Sequence, residues 1–398
     1  MKCGIDKLLE NSGFLGELKG RRVALLAHPA SVTKNLQHTI DALLEKEVNL
    51  TCAFGPQHGL KGDKQDNMIE TPDEMDTSYG IPVYSLYGEV RRPTEEAMSL
   101  ADVFIYDLQD LGCRIYTFVT TLLYLLQEAE KYGKEVWVLD RPNPIGRKVE
   151  GTILRKGQES FVGAAPIPMR HGLTMGEMGL WFIRHYALDV KYKVIKMDDW
   201  EPSGLSGGWP RERVWVNPSP NAPSVYMARA YPGTVMLEGT TLSEGRGTTR
   251  PLEFLFGAPD INASDVLSEM KRLAPDWLAG VEIRECYFEP TFHKHAGKLL
   301  QALMVHTDGN LYNDRKFRPW RLQALTFKAI RSLYPNYQLW RDFPYEYESD
   351  RLAIDVINGG TDLRVWVDDG SSTPSDLDVL ADKDEKDWQS QVEDFLLY

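Results

Sequence analysis

The segment Val48-Asn49-Leu50-Thr51-Cys52-Ala53-Phe54, followed by Gly55-Pro56-Gln57-His58-Gly59, decides the fold. An apolar run that stops at a turn of glycine and proline is typical of a buried strand in a parallel sheet. In such sheets the ligand crevice lies outside the carboxyl ends of the strands, so this turn is a candidate active-site turn. Its central residue, Gln57, is an amide that neither gives nor takes a proton at neutral pH.

Similar apolar segments, separated by helical patterns, lie on both sides of this segment. Apolar runs at 23–27, 82–87, 103–106 and 136–139 predict strands, and helical spacing at 38–46, 94–100 and 116–132 predicts the helices between them. Alternating strands and helices of these lengths predict the α/β class, with a Rossmann-like, doubly wound and mainly parallel sheet.

The second half of the chain has a different composition. Residues 140–231 are rich in Pro, Gly and Trp and are expected to form ordered loops around one helix, which Thr174 and Glu177 open as a capping box. Helices and strands are mixed beyond residue 248, which predicts a smaller α+β domain. Because 398 residues exceed one ordinary core, we expect two domains, 1–230 and 231–398.

The bulk composition narrows the class of partner. With 45 basic and 58 acidic residues the net charge is −13, which argues against nucleic acid and anionic membranes and favours a small ligand. The four cysteines are far apart and lack CxxC spacing, so neither a disulfide framework nor structural zinc is expected. The amino terminus lacks the apolar region of a signal peptide, and we expect a cytoplasmic protein of unknown oligomeric state.

Several predicted strands are followed by polar side chains, which the fold would bring to one edge of the sheet. The residues at these exits are His28, Gln57, His58, Asp107, Gln109, Asp110 with Arg114 a turn later, Asp140, Arg141 and Asn143. Asp at a strand end often only caps the next turn, but the set together indicates a binding crevice.

A second polar segment, residues 238–251, combines three glycines with Glu238, Glu244, Arg246 and Arg250, as expected of a loop that reaches into a cleft. Either carboxylate could serve as a general acid if burial raised its pKa. His58 could be a base or a turn residue, and His171 could bind substrate or satisfy the start of the helix after Thr174. The histidine spacing does not favour a metal.

Neither GxGxxG nor GxxxxGK[ST] follows a predicted strand, so no nucleotide cofactor is expected. Polar strand ends together with a Trp-rich segment favour a hydroxyl-rich ligand, bound by hydrogen bonds at its edges and by aromatic faces. The expected partner is a small carbohydrate, with no cofactor and no metal.

Taken together, these motifs resemble the NamZ-type exo-β-N-acetylmuramidases over nearly the whole chain. The segments that carry the resemblance are residues 55–59, 85–88, 92–94, 107–110, 139–144, 218–221, which ends at Asn221, and 238–248. The resemblance implies a Rossmann-like amino-terminal domain, a smaller carboxy-terminal domain, and release of terminal N-acetylmuramic acid from peptidoglycan fragments.

The resemblance also implies that a catalytic glutamate stands between Pro56 and His58, where this chain has Gln57. Our hypothesis from the sequence is that Gln57 and His58 position the sugar while Glu244 or Asp110 supplies the acid. The alternative is a weak or inactive protein that binds amino sugars or muropeptides.

Overall fold

The computed structural model describes residues 1–65, 68–203 and 207–398. The helices are α1 (Gly4–Glu10), α2 (Ser12–Leu18), α3 (Thr39–Glu45), α4 (Glu95–Ser99), α5 (Phe118–Lys131), α6 (Met175–Tyr186), α7 (Val225–Thr234), α8 (Ala263–Leu273), α9 (Pro319–Leu333), α10 (Ala353–Asn358), α11 (Asp362–Asp368) and α12 (Pro374–Val392). Short 3₁₀ helices span Val235–Gly239, Pro275–Leu278, Gly309–Leu311 and Glu393–Phe395.

The strands are β1 (Val23–Leu26), β2 (Leu50–Gly55), β3 (Glu74–Asp76), β4 (Ile81–Ser85), β5 (Val103–Tyr106), β6 (Glu135–Leu139), β7 (Glu150–Ile153), β8 (Pro168–Arg170), β9 (Lys191–Ile195), β10 (Phe254–Ala258), β11 (Glu282–Phe288) and β12 (Leu300–His306). Seven of them form one sheet in the order β3-β4-β2-β1-β5-β6-β9, in which β3 alone is antiparallel to its neighbour. The expected mixed α/β class with a mainly parallel sheet is therefore confirmed.

Alternation along the central strands gives this sheet two buried faces. Ala24 and Leu26 of β1 pack into one core, whereas Val23 and Leu25 pack into the other. Helices α1 and α2 supply the second core, and α5 and α6 supply the first. Successive side chains of a strand point to opposite faces of the sheet. Because both faces are apolar here, helices must cover both sides, as observed.

The carboxy-terminal half contains a three-stranded antiparallel sheet in the order β10-β12-β11, packed with α8 and α9. The chain then returns, because α12 packs against β7 and β8, which form a small antiparallel pair. The larger core is continuous through this region. The domain boundary at residue 230 stays a prediction.

The region from 140 to 231 contains more regular structure than the sequence predicted. Besides α6 it holds β7, β8, β9 and α7. Helix α7 includes Pro232, and proline normally indicates the end of a helix. In the described ranges, every helix falls short of the length or the apolar character that crossing a bilayer requires.

Candidate active site

A pocket lies directly beyond the carboxyl end of β2, at the turn that contains Gln57. Its empty volume is about 450 Å³, including the open mouth. Both halves of the chain line it. The polar lining residues are Gln57, His58, Tyr116, Ser219 and Asn221 from the first region of the chain, and Tyr231, Glu238, Arg246, Tyr345 and Glu346 from the second.

The turn after β2 has a backbone that few other residues would allow. A Cβ at Gly55 would come within 2.5 Å of the Leu60 backbone nitrogen, and Gly59 has a left-handed φ of 80°. His58 also has a positive φ, of 73°, which is uncommon for a residue with a side chain. Its Nδ1 lies 2.8 Å from the Lys64 carbonyl oxygen, so Nδ1 is the protonated nitrogen of that contact.

Asn221 ties the loop after this turn to the rest of the pocket. Its Nδ2 donates to the Gln65 carbonyl oxygen at 2.8 Å, and Gln65 Nε2 donates back to Asn221 Oδ1 at 3.2 Å. Two reciprocal bonds to one side chain fix both the position and the direction of the loop. Asn221, expected to bind substrate, therefore holds a wall of the pocket in place.

Gln57 connects two polar side chains across the pocket. Thr117 Oγ1 donates to Gln57 Oε1 at 2.9 Å, and Gln57 Nε2 donates to Glu346 Oε1 at 3.3 Å. The assignment of amide oxygen and nitrogen follows from this network. A side chain that cannot transfer a proton thus sits beside one that can.

Glu346 is one of two buried carboxyl groups that line the pocket, with 4% of its surface exposed. Its Oε2 accepts a hydrogen bond of 2.8 Å from the Tyr87 hydroxyl. Burial, and to a lesser extent the negative charge of Glu238, raise the pKa of Glu346 to about 7 against the opposing effects of the bonds from Tyr87 and Gln57 and the charge of Arg91. Glu346 is therefore a group that can carry a proton at neutral pH.

Glu238 and Arg246 line the pocket as an ion pair. Arg246 Nη2 donates to Glu238 Oε1 at 2.6 Å, and the Tyr345 hydroxyl donates to Glu238 Oε2, also at 2.6 Å. Both charged groups are about 5% exposed. The loop of residues 238–251 thus reaches the pocket, as the sequence predicted, with its charges already paired.

Glu244, in the same loop, is fully buried among basic side chains. Lys294 Nζ lies 2.8 Å from Oε2, and His293 Nδ1 and Arg246 Nε lie 3.1 and 3.3 Å from Oε1. Burial alone would raise the pKa of Glu244, but the attraction of Lys294, His293 and Arg246 outweighs it and lowers the pKa well below its usual range. This environment opposes the role of proton donor that we expected of Glu244.

The residues at the other strand exits bond mainly to one another. Arg141 Nε and Nη2 donate to the two oxygens of Asp107 at 2.6 and 2.8 Å, and Thr39 Oγ1 donates to the same carboxylate at 2.6 Å. His28 Nε2 accepts a hydrogen bond from the backbone N–H of Gln109 at 3.1 Å, and burial lowers the pKa of this histidine. These side chains join the strand ends and do not line the pocket.

The remaining predicted residues occupy similar positions outside the pocket lining. Asp110 pairs with buried His171 at 3.3 Å, and Asn143 Nδ2 donates to the Leu173 carbonyl oxygen at 3.0 Å. Arg114 donates to four backbone carbonyl oxygens. Asp140 accepts bonds from the start of α6, and burial, with the nearby Glu177, raises its pKa to about 6.

The pocket therefore contains five of the predicted residues and adds others that the sequence reasoning missed. Those present are Gln57, His58, Asn221, Glu238 and Arg246. Those missed include Glu346 and Tyr345 on the pocket wall, together with Tyr87, which donates to Glu346, and Thr117, which donates to Gln57. The available signal was a carboxylate between two tyrosines just after Pro344, outside any helical or strand pattern.

Comparison with known proteins gives consistent matches along the chain. Residues 23–226 match the family model for the amino-terminal part of the exo-β-N-acetylmuramidase NamZ, and residues 229–398 match the model for its carboxy-terminal part. The chain is 37% identical over 376 residues to the peptidoglycan β-N-acetylmuramidase NamZ of Bacillus subtilis strain 168, covering 94% of this chain and 85% of that protein.

Two crystal structures from Bacteroides fragilis NCTC 9343, both described as DUF1343 family proteins, have the same fold. One has a TM-score of 0.83 at 31% identity, and the other has a TM-score of 0.77 at 24% identity. Each match covers 100% of this chain and 98% of the crystallised chain. At 24% identity the second match supports only the fold assignment.

Proposed function

The chain belongs to the NamZ exo-β-N-acetylmuramidase family, and from that premise we propose that it is a glycoside hydrolase that releases terminal N-acetylmuramic acid from peptidoglycan fragments. The observation that carries the proposal is the pocket beyond β2, which places a carboxyl group able to hold a proton among amide, hydroxyl and guanidinium groups. Glycoside hydrolysis needs such a proton donor for the leaving oxygen.

The lining suits a single polar sugar. Gln57, Ser219 and the tyrosines offer hydrogen bonds to hydroxyl and acetamido groups, and the apolar Ile115 and Leu252 also line the pocket. N-acetylmuramic acid carries a carboxylate on its lactyl group, and Arg246 adds to the lining a guanidinium that would have to bind it while also paired with Glu238. We assign substrate contact to the side chains that line the pocket, namely Gln57, His58, Glu238, Arg246 and Asn221.

The second candidate function is a binding protein with little or no turnover, and Gln57 is the observation that favours it. Loss of a general acid or base typically costs about 10²- to 10⁴-fold in rate. If Gln57 replaced the only proton donor of the site, the chain would bind its sugar without cleaving it at a useful rate.

Turnover and binding measurements on the native chain distinguish these functions. We expect release of N-acetylmuramic acid from a disaccharide with that sugar at its non-reducing end. The control is the matched disaccharide that ends in N-acetylglucosamine, which lacks the lactyl group and should react far more slowly. Calorimetric binding without turnover, combined with activity created by Gln57→Glu, would favour the binding protein and reject the enzyme.

We also propose that the chain acts in the cytoplasm, on fragments recovered from the cell wall. All four cysteines lie among the described residues, and each is a free thiol, as is usual in a reducing compartment. Fractionation of the native organism, with detection by antibody, tests this location. Recovery of the protein outside the cytoplasmic fraction would reject it.

A further inference from the structure

Two carboxyl groups line the pocket, and their surroundings differ. Glu238 is bonded to the guanidinium of Arg246, a permanent cation. Glu346 receives its hydrogen bonds from neutral donors, the Tyr87 hydroxyl and the Gln57 amide. A carboxyl group that is buried among neutral donors is more easily protonated than one paired with a guanidinium. Of the two, Glu346 is the group suited to deliver a proton.

The backbone at Glu346, whose side chain lines the pocket, is strained. Glu346 and Tyr347 have φ values of 49° and 70°, which L-residues rarely adopt. Reciprocal backbone hydrogen bonds between Tyr345 and Glu348 close the turn that holds them. Glu346 is buried, whereas Tyr347 is 59% exposed and donates its hydroxyl to Glu70. Strain of this kind is typical of functional positions.

We propose that Glu346 is the general acid of the glycosidase reaction, supplied by the carboxy-terminal region of the chain and placed opposite the amide of Gln57. This inference rests on the proposed function and goes beyond it by naming the proton donor. It replaces both carboxylates suggested by the sequence, because neither Glu244 nor Asp110 lines the pocket.

The groups that face Glu346 keep its proton available near neutral pH. Burial and Glu238 favour the protonated form, while Tyr87, Gln57 and Arg91 favour the ionised form. The balance sets a pKa of about 7, which suits proton transfer in both directions at that pH.

Gln57 fits both protonation states of its neighbour. With the amide as placed, Nε2 donates to ionised Glu346 and Oε1 accepts from Thr117. If the amide turns by half a rotation, its oxygen accepts from protonated Glu346 while its nitrogen donates to Thr117 Oγ1. A carboxylate at position 57 would instead compete with Glu346 for one proton. Gln57 is thus a positioning residue for the acid.

The reaction follows from the substrate's own chemistry. As the bond between the anomeric carbon and the leaving oxygen breaks, its electron pair goes to that oxygen, which takes the proton of Glu346. The acetamido oxygen of the sugar forms a bond to the anomeric carbon. Water then attacks this carbon, displaces the acetamido oxygen and returns one proton to the Glu346 carboxylate. One water is consumed, and Glu346 ends protonated, as it began.

The test compares Glu346→Gln with the native chain on two substrates. One is the disaccharide that ends in N-acetylmuramic acid, whose leaving oxygen needs a proton. The other is the 2,4-dinitrophenyl glycoside of the same sugar, whose leaving group needs no proton. It is assayed in the presence of azide, a nucleophile that attacks without a base. We expect kcat to fall by about 10²- to 10⁴-fold on the disaccharide and to stay near the native value on the glycoside with azide.

The pH profile gives a second measurement. In the native chain kcat/KM on the disaccharide should fall as pH rises through about 7, because Glu346 loses its proton, and this limb should be absent in Glu346→Gln. Glu348→Gln is the matched control: this glutamate lies two positions after Glu346, pairs with Arg351 and is outside the pocket lining, so the variant should behave as native.

Each outcome separates the inference from the function on which it rests. Native activity with undiminished kcat in Glu346→Gln on the disaccharide would overturn Glu346 as the acid and leave the glycosidase intact. An equal loss on both substrates, with azide present, would also overturn it in favour of a structural role. A native chain inactive on both substrates would overturn the proposed function and the acid together.

Discussion

At the scale of single residues, the site depends on a pair of side chains. Gln57 occupies the turn where the family resemblance implies a glutamate, and Glu346 places a carboxyl group within 3.3 Å of it. The acidic function of the pocket does not need to come from the turn itself. An amide at position 57 removes a competing charge beside the buried carboxyl group.

The buried acid should have a measurable effect on stability. In the folded protein the pKa of Glu346 is raised from 4.5 to about 7, so its favourable contribution is complete below pH 4.5 and is lost as pH rises through about 7. Glu346→Gln does not ionise. The free energy of unfolding of the variant minus that of the native chain should therefore increase by up to about 3 kcal/mol as the pH rises from 5 to 8.

Chemical denaturation at the two pH values measures this difference. Glu348→Gln, whose carboxylate is partly exposed, should show no comparable change with pH. The same stability difference for Glu346→Gln at pH 5 and at pH 8 would mean that Glu346 is not protonated in the folded protein.

At the scale of elements, the start of α6 shows how strand ends and helix caps join. Thr174 Oγ1 accepts from the Glu177 amide at 3.3 Å and donates to buried Asp140 at 2.7 Å. The Gly176 amide and the Tyr398 hydroxyl donate to the same Asp140. The end of β6, the first turn of α6 and the last residue of the chain therefore meet at one carboxylate.

Thr174→Ala should weaken this junction. It removes a helix cap and one of the donors to a buried carboxylate, and we expect a loss of about 1–3 kcal/mol in the free energy of unfolding. Denaturant unfolding provides the measurement. Thr361 stands at the corresponding position of α11 without a side-chain cap bond, so Thr361→Ala should change stability by less than about 0.5 kcal/mol. Equal effects of both substitutions would contradict the role of Thr174.

The elements differ in how far their sequences predict them. Strand β5 is predicted to the residue, because four buried apolar residues between polar ones have one plausible structure. Strand β9 was missed, because its edge position leaves lysines among its residues. Strands β7 and β8 are too short to show a periodic pattern. Helix α7 is not predicted, because Pro232 within it normally indicates a helix end.

The site was predicted by position better than by chemistry. The rule for parallel sheets located the turn at Gln57, which does line the pocket. The same rule selected Asp107 and Arg141, but desolvated charges at strand ends stabilise each other and so become structural. The only local signal for Glu346 is its place between two tyrosines after Pro344, because its burial and its partners come from segments far away in the sequence.

At the scale of the whole molecule, Arg114 connects distant parts of the chain. Its Nη1 donates to the carbonyl oxygens of Thr152 and Ile167 at 3.1 and 2.8 Å, and its Nη2 donates to those of Ile357 and Asn358 at 3.1 and 2.6 Å. Burial lowers the pKa of this guanidinium to about 10. A planar fork with two terminal nitrogens can donate to carbonyls on three separate stretches of the chain at once.

Arg114→Lys should therefore cost stability although it keeps the charge. A single ammonium cannot reach all four carbonyls, and buried acceptors left without donors cost about 1–3 kcal/mol each, so we expect a loss of about 2–5 kcal/mol. Denaturant unfolding at pH 7 measures it. Exposed Arg315 supplies the control, since Arg315→Lys should be neutral within about 0.5 kcal/mol. An unchanged free energy of unfolding in Arg114→Lys would show that these bonds do not hold residues 152, 167 and 357–358 together.

The bond between Gln57 and Glu346 spans 289 positions of the chain. At a synthesis rate of about 5–20 residues per second, Glu346 leaves the ribosome about 15–60 s after Gln57. With Glu346 as the proton donor, a nascent chain that has already folded its parallel sheet still lacks the acid. In this proposal, hydrolytic activity appears only after Glu346 has left the ribosome, and the first turnover reports that two segments 289 positions apart have come together.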